Sequence, residues 1–497
     1  MSSSTDHEHV ARATRRGLSW NLLGAIFTNA LRLVIVAVLG RALDSTDFGI
    51  VAAAISINVF FYSIRDLGVG RAIVQQKTID SGHLATAFAV SVYLGIGLCG
   101  LIMILAPAIG MLYRVEASVD VLRALSLLFA LRGLSITSRM MCQRDMRFRM
   151  IAILDQIAFV AGSAVSVVAA LSGAGPWALV AGYLTDETVA TLLYLIKSRP
   201  PLSLRIQRDR LRDLMRFGAS ETVSQIAATL ATYGDNYVVG HALGPRMLGY
   251  YTRAYDLIKF PSLVYDKIAG NVLFPMFSRL QEDRERLALG YRRAMFINAL
   301  VLLPMSAALL IVAPEAIRLL MGPGWGESVL PFRILALTML MRTSWKVGAS
   351  IAGAAGWIRA VAIVNSMYMV LVIAGAIISI RWEIVGVAAS TAIAITVTFV
   401  GISYLALRVT GLSLTGFVGA HVPGLLAAAA TAACTWPLAT VLRDHGTSPT
   451  LVFVAISGAS ALGSLGLVVL WLRRGRRDFG WLRAELSRVR GSRLKRS

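Results

Sequence analysis

Long apolar runs fill almost the whole chain, and short polar clusters punctuate them. A run of about 18 or more apolar residues is long enough to cross a bilayer as a helix. Fourteen such runs are predicted, at 17–40, 46–65, 84–107, 120–140, 151–171, 176–196, 217–240, 252–275, 293–313, 328–353, 358–380, 384–407, 418–442 and 450–472. The second ends among charges, and the fourth and eighth carry charge inside. A chain in lipid must satisfy its backbone polar groups internally. The pattern therefore predicts an all-α polytopic membrane protein.

The polar clusters alternate in charge. If the N-terminus is cytoplasmic, the inside loops include 141–150 with Arg144, Arg147 and Arg149, and 276–293 with five arginines. They also include 197–216, with Lys197, Arg199, Arg205, Arg208, Arg210, Arg212 and Arg216. The tail after 472 adds ten basic residues. The outside loops hold about one each: Arg41, Arg114, Arg246, Arg318, Arg381 and Arg443. Basic residues concentrate on the cytoplasmic side of membrane proteins, so both termini are predicted inside. No outside loop exceeds about 15 residues, which leaves no room for an external domain.

The chain also repeats itself. A shift of 200 residues lays 38–49 (VLGRALDSTDFG) on 238–249 (VVGHALGPRMLG). Nine identities fall in 33 ungapped positions, among them Val38/Val238, Gly40/Gly240, Leu43/Leu243, Gly49/Gly249 and Phe60/Phe260. Span 1 maps on span 7 and span 2 on span 8, in the same orientation. This is a parallel six-span repeat, the kind related by an axis along the membrane normal. The resulting organisation is a cytoplasmic segment 1–16, a first lobe 17–200, a basic linker 201–216 and a second lobe 217–410. Spans 13 and 14 occupy 411–472, and a basic tail fills 473–497. Two such lobes place a substrate between them near the midplane and rock for alternating access.

Composition agrees. Hydrophobic residues make up 56% of the 497 positions and charged ones 15%, against about 25% charged in soluble domains. The net charge of +22 follows from the inside loops, and no aromatic-interleaved basic surface of the nucleic-acid-binding kind accompanies it. Cys99 and Cys434 lie in apolar runs and Cys142 in a basic loop, without metal-ligand spacing. The first apolar run is too long for a signal-peptide core and reads as a retained span.

Charge inside a span is costly and normally faces a cavity or a partner. Span 7 carries Glu221, Gln225, Thr229, Thr232 and Asn236 on one helical face, with Asp235 beside it. Span 1 carries Asn21, Thr28, Asn29 and Arg32, and the repeat aligns Asn29 with Thr229 and Arg32 with Thr232. Either a hydrophilic cavity or polar helix packing accounts for the stripes. Arg32 is too deep to snorkel easily and wants a carboxylate or a phosphate; Asp235 is one carboxylate available. In span 8, Asp256 can pair with Lys259 three residues on, and Arg253 is adjacent. Arg132 sits in span 4. Arg342 and Lys346 share a face of span 10, which suits a polyanion or solvated side chains. The interior bases Arg32, Arg132, Arg253, Lys259, Arg342 and Lys346 roughly match the acids Asp155, Glu187, Glu221, Asp235 and Asp256. Asn29, Gln225 and these bases, with Glu221 and Asp235, are the candidate cavity residues. Asp235 and Glu221 are also candidates for coupling to H+ or Na+. The tail around Trp481, Leu482, Leu486 and Val489 reads either as an amphipathic helix on anionic lipid or as a disordered basic segment.

Four segments carry a resemblance: GRALDSTDFGIVAAA (40–54), DLGVGRAIVQQK (66–77), LGYYTRAYDLIKFP (248–261) and VLFPMFSRLQED (272–283). They resemble Wzx-type polysaccharide flippases of the multidrug/oligosaccharidyl-lipid/polysaccharide exporter superfamily, in the colanic-acid and exopolysaccharide branch. The resemblance covers most of spans 1 to 12. It implies a V-shaped two-lobe fold of about fourteen helices in a bacterial inner membrane. It also implies an undecaprenyl-diphosphate-linked oligosaccharide, flipped from the cytoplasmic to the periplasmic leaflet for exopolysaccharide or O-antigen-type synthesis. A cationic cavity is implied, with polymerase and other export components as partners and spans 13 and 14 as a groove for the lipid tail. A cation-coupled drug exporter of the same superfamily is the nearest alternative, although twelve spans are usual there. A membrane polymerase or ligase would need a large outside loop, and a glycosyltransferase a cytoplasmic domain with metal ligands. His83, His241, His421 and His445 are scattered, with no nucleophile–base pattern. No phosphate-cradling Gly-Lys-Ser/Thr loop is present. The chain therefore reads as a transporter, not an enzyme, with no catalytic residue, metal or cofactor.

Overall fold

The computed structural model describes residues 31–65, 69–76, 78–113, 117–268 and 283–473. Its described elements are helices. Helix α1 is described over 31–42. It is followed by α2 (Ser45–Arg65), α3 (Val69–Gln75), α4 (Ser81–Tyr113), α5 (Ala117–Arg144), α6 (Phe148–Leu171) and α7 (Pro176–Lys197). Then come α8 (Arg208–Ile268), α9 (Arg284–Met321), α10 (Val329–Ala336), α11 (Met339–Ala354), α12 (Ile358–Ser379), α13 (Glu383–Thr410), α14 (Leu414–Asp444) and α15 (Pro449–Arg473). Seven helical stretches among the described residues are long and apolar enough to cross a membrane. The chain is a multi-pass membrane protein. The second to sixth, ninth and eleventh to fourteenth predicted spans each fall on one helix, with ends that differ by up to nine residues.

Two spans are joined and one is broken relative to the hydropathy reading. Spans 7 and 8 run as one element, α8, interrupted at Gly244, where φ is 81° and ψ 178°. That backbone conformation suits glycine and turns the chain sharply. The predicted span 328–353 is divided between α10 and α11, and the Thr338 hydroxyl bonds back to the Leu335 carbonyl at 2.7 Å. Local caps set other ends. Pro176 opens α7, where a missing N–H costs nothing. The Ser413 hydroxyl accepts from the Gly416 N–H at 3.1 Å and starts α14.

The chain forms two compact units. The first comprises 1–264, 320–331 and 362–398; the second comprises 265–319, 332–361 and 399–497. In the first, α4 packs on α5 and α6 on α7. In the second, Tyr291, Met295 and Phe296 of α9 pack with Val347 and Ile351 of α11, Ala406 of α13 and Phe417 and Ala420 of α14. Ile311, Val312 and Ala316 of α9 hold Ala439 of α14 with Val452 and Ile456 of α15. At that end Arg443 Nε and Nη2 donate to both Glu315 carboxylate oxygens at 2.7 and 2.8 Å. Spans 13 and 14 are thus anchored on α9. Their other faces expose Leu425, Leu426, Trp436 and Val454, as a lipid-facing helix does.

Candidate functional site

The first unit gathers its interior charges on α1, α5, α6, α7 and α8. On α5, Arg132 donates to Glu187 of α7, and its guanidinium lies 4.4 Å from the Tyr62 ring centroid. Tyr62 stacks on Phe129 with centroids 4.4 Å apart. Arg139 Nη2 donates to Asp155 of α6 at 2.7 Å, and the Tyr194 hydroxyl donates to the other Asp155 oxygen at 2.8 Å. Arg32 of α1 is exposed and lies 5.1 Å from the Phe159 ring centroid. Asp186 of α7 lies within electrostatic reach of Glu187, Arg132, Asp155 and Arg32. The Tyr183 hydroxyl lies within reach of Arg253, Asp256, Asp186 and Arg32.

The second half of α8 supplies the opposing set. Arg253 Nη2 donates to Asp256 at 2.8 Å, while Lys259 Nζ lies 3.7 Å from the same carboxylate. Lys259 also sits 4.0 Å from the Tyr255 ring and 5.5 Å from the Tyr233 ring. The Arg253 Nε is buried without a hydrogen-bond partner. The result is a cluster of guanidinium, ammonium, carboxylate and phenol groups, with Tyr183 within reach of both sets. Guanidiniums bind phosphates through paired donors, and aromatic faces beside cations bind polar ligands with a greasy side.

Asp235 lies elsewhere. It is 2% exposed, accepts from the Tyr251 hydroxyl at 2.6 Å and accepts from the Asn236 backbone N–H at 2.9 Å. Thr391 of α13 approaches it at 3.4 Å. It is a buried acid held by Tyr251, Asn236 and Thr391. Thr229 is buried and Thr232 exposed, so the predicted stripe on α8 divides between a helix contact and an open face. Arg342 and Lys346 sit one turn apart on α11 of the second unit, Arg342 9% exposed. Near them Asn298 Nδ2 donates to the Ser344 hydroxyl at 3.1 Å. Asn29, the tail, and the side chains of Glu221 and Gln225 lie outside the described residues.

At one end of the first unit the repeated segments cross each other. A methyl on Gly49 would meet the Pro245 carbonyl oxygen at 1.7 Å, and one on Gly249 would meet the Ser45 oxygen at 1.8 Å. The two glycines, 200 residues apart, let the starts of α2 and of the second half of α8 cross backbone to backbone. Beside them Trp325 stands edge-on to Phe48 and Tyr250, at 5.4 and 5.6 Å. Its Nε1 donates to the Gly40 carbonyl at 3.0 Å. Arg253 lies 4.9 Å from the Phe48 ring, so this aromatic cluster adjoins the charged one.

At the opposite end a polar latch forms that the hydropathy pattern does not show. Asp80 caps α4 by accepting from the His83 N–H at 2.8 Å, and its other oxygen lies 2.6 Å from Arg210. The His83 ring lies 2.7 Å from Asp80 and 3.7 Å from Asp213. The His83 N–H and the nearby cations hold the Asp80 carboxyl below its ordinary range. The Tyr93 hydroxyl donates to the Leu204 carbonyl at 3.2 Å. The linker before α8 is thereby tied to α4. Among the described residues no group of acids, histidines and cysteines has the arrangement of a metal site.

Comparison with known proteins adds the following. The family described as polysaccharide biosynthesis protein matches residues 38–330. The lipopolysaccharide biosynthesis protein WzxC of Escherichia coli K12 is 26% identical over 332 residues, 66% of this chain and 68% of its own. The succinoglycan biosynthesis transport protein ExoT of Rhizobium meliloti is 27% identical over 333 residues, 66% of each chain. The teichuronic acid biosynthesis protein TuaB of Bacillus subtilis is 22% identical over 349 residues, 70% of this chain and 72% of its own. The chain thus spans about two thirds of the length of these relatives. Among solved structures, the lipid II flippase MurJ in its inward closed conformation superposes with TM-score 0.72 at 14% identity, covering 91% of this chain and 98% of that one. An inward-facing multidrug resistance MATE transporter superposes with TM-score 0.60 at 17% identity, covering 76% and 94%. The fold is that of these two-lobed transporters.

Proposed function

Because the chain belongs to the polysaccharide biosynthesis protein family, we propose that it is a flippase for a lipid-linked oligosaccharide. The substrate is an undecaprenyl-diphosphate-linked repeat unit, moved from the cytoplasmic to the periplasmic leaflet for exopolysaccharide or O-antigen-type synthesis. The family match carries the reading, because residues 38–330 contain almost all of the charged cluster, which forms the substrate chamber in this proposal. The names of WzxC and ExoT, as proteins of lipopolysaccharide biosynthesis and of succinoglycan biosynthesis transport, point the same way.

The mechanism is alternating access. Arg32, Arg253 and Lys259 receive the diphosphate, and Tyr183, Tyr233 and Tyr255 offer faces to the sugars. Arg132 is held by Glu187 and serves the chamber's architecture first. The Gly49–Gly249 crossing is closed when the chamber faces the cytoplasm and parts for release. A proton or Na+ gradient drives the cycle through an intramembrane carboxylate, Glu221 or Asp235. The protein resides in the bacterial inner membrane with both termini cytoplasmic and works beside the polymerase of its pathway.

Deletion in a polymer-producing strain tests the proposal. The expected outcome is loss of polymer with lipid-linked repeat units retained on the inner leaflet. Normal polymer with altered drug resistance would instead identify a drug exporter.

A further inference from the structure

Outside the chamber, the first unit holds an apolar groove of about 640 Å3. Phe60 and Phe61 of α2, Leu105 of α4, Val238 and Ala242 of α8 and Ile377 of α12 line it. Three of the four helices contribute residues near one end. Leu105 precedes the end of α4 at Tyr113, Ala242 precedes the break at Gly244, and Ile377 precedes the end of α12 at Ser379. By the charge pattern that end is the outer one. Phe60 and Phe61 lie 15 and 16 residues into α2, roughly 22 Å at 1.5 Å per residue. The groove therefore runs from the outer end toward the midplane.

The Tyr237 hydroxyl donates to the Ser56 carbonyl at 2.7 Å, and Asn236 Nδ2 donates to the Ser56 hydroxyl at 3.3 Å. Ser63 and Thr229 share a hydrogen bond of 2.5 Å. These bonds form a seam between α2 and α8. Val238 and Ala242, on the half of α8 before the Gly244 break, face the groove, and the half after the break carries Arg253 and Lys259. On α2, between the seam residues, Asn58 is 2% exposed and neither of its amide atoms has a partner. A buried amide left unpaired is costly, and a polar group passing through the seam would satisfy it.

An apolar groove beside one half of α8 and a cluster of cations on the other half suit one kind of molecule, an anionic headgroup on a long hydrocarbon chain. A cavity of this size is typical of a site for a small molecule, so it seats part of such a chain. We propose that this groove is a binding site for the isoprenoid chain of the substrate on the outer side of the membrane. The diphosphate passes between α2 and α8, with Asn58 as a polar contact on the way. This assignment rests on the flippase reading and goes beyond it by placing the chain in the first unit instead of on spans 13 and 14.

Photolabelling of the full chain in inner-membrane vesicles tests it. A benzophenone amino acid replaces Ile377 in the groove or, as the reference, Leu426 on the exposed face of α14. Tritiated undecaprenyl phosphate and a tritiated phospholipid are the probes, used separately. The expected result is at least tenfold more isoprenoid label at position 377 than at 426, with phospholipid label equal at both. Equal isoprenoid labelling, isoprenoid label concentrated at 426, or phospholipid label alone at 377 would overturn the assignment. Filling the groove with Ala242→Trp is expected to cut isoprenoid label at 377 about tenfold at unchanged chain level; undiminished label would overturn it too. The wild-type chain's ability to restore polymer in the deletion strain separates the two ideas. Restored polymer with no label at 377 removes the groove and leaves the flippase standing.

Discussion

Arg32 is the residue on which the site reading leans most. Among the described residues it has an aromatic neighbour, Phe159, and no hydrogen-bonded carboxylate. In the proposed mechanism its paired donors turn to the diphosphate. Hydrogen bonds to a charged group are worth about 1.5–3 kcal/mol, a factor of roughly ten to a hundred. Arg32→Ala is therefore expected to lower polymer yield about tenfold or more at unchanged chain level. Arg32→Lys should fall between, since an ammonium keeps the charge and loses the fork. Equal yield from all three chains removes Arg32 from the site. Sequence pattern located this arginine by depth alone. It could not pair Arg132 with Glu187, because their 55-residue separation leaves the contact to tertiary packing of α5 on α7. Nor could it seal Asp235, whose partners Tyr251 and Thr391 come from the far side of the Gly244 break and from α13. His83, scattered by sequence, gains meaning from Asp80 three residues before it and from Asp213 on the linker.

At the scale of elements, the proposed gate is the contact of α2 with α8. A Cβ on Gly49 would lie 1.7 Å from a backbone oxygen, and a main chain cannot step aside as a flexible side chain can. Gly49→Ala is expected to hold the two helices apart. A cysteine at Ser45 should then react several-fold faster with a membrane-impermeant maleimide added from outside, while polymer yield falls. An unchanged rate would show that the crossing is no gate. The linker latch obeys the linkage sign of a depressed acid. Asp80's stabilising contacts are fully present above its ordinary pKa of about 3.9 and are lost as pH falls through the lower folded value. Asp80→Asn is expected to mimic that loss at neutral pH. Protease added to inside-out vesicles should then cut within 198–207 several-fold faster than in the parent. The Glu315–Arg443 pair ties α14 to α9, with Glu315 9% and Arg443 35% exposed. Breaking a fully buried pair costs about 3–5 kcal/mol; the half-open arginine brings this to about 1–2 kcal/mol. Glu315→Gln should lower the melting temperature of the detergent-purified chain by a few degrees.

For the molecule as a whole, the repeat was the most informative feature of the sequence. It aligned Gly49 with Gly249, and those two residues meet the mirrored backbone positions Pro245 and Ser45. The hydropathy runs gave the helices, because in lipid a span must be both apolar and helical. They could not give the join in α8 or the break between α10 and α11, since the outcome there depends on a single backbone torsion or hydroxyl bond. Nor did spans 13 and 14 announce their place, which depends on Ile311, Val312 and Ala316 of α9. The orientation of the whole is an electrostatic matter. Seven basic residues lie in 197–216, against Arg443 in the short loop after α14, and arginine-rich loops are retained in the cytoplasm. A phosphatase that folds only outside the cytoplasm should be active when fused after Gly446 and inactive when fused after Gly411 or at the C-terminus. Activity at the C-terminal fusion would reverse the membrane sidedness. The groove would then open to the inner leaflet, and the Gly49–Gly249 crossing would become the entry gate.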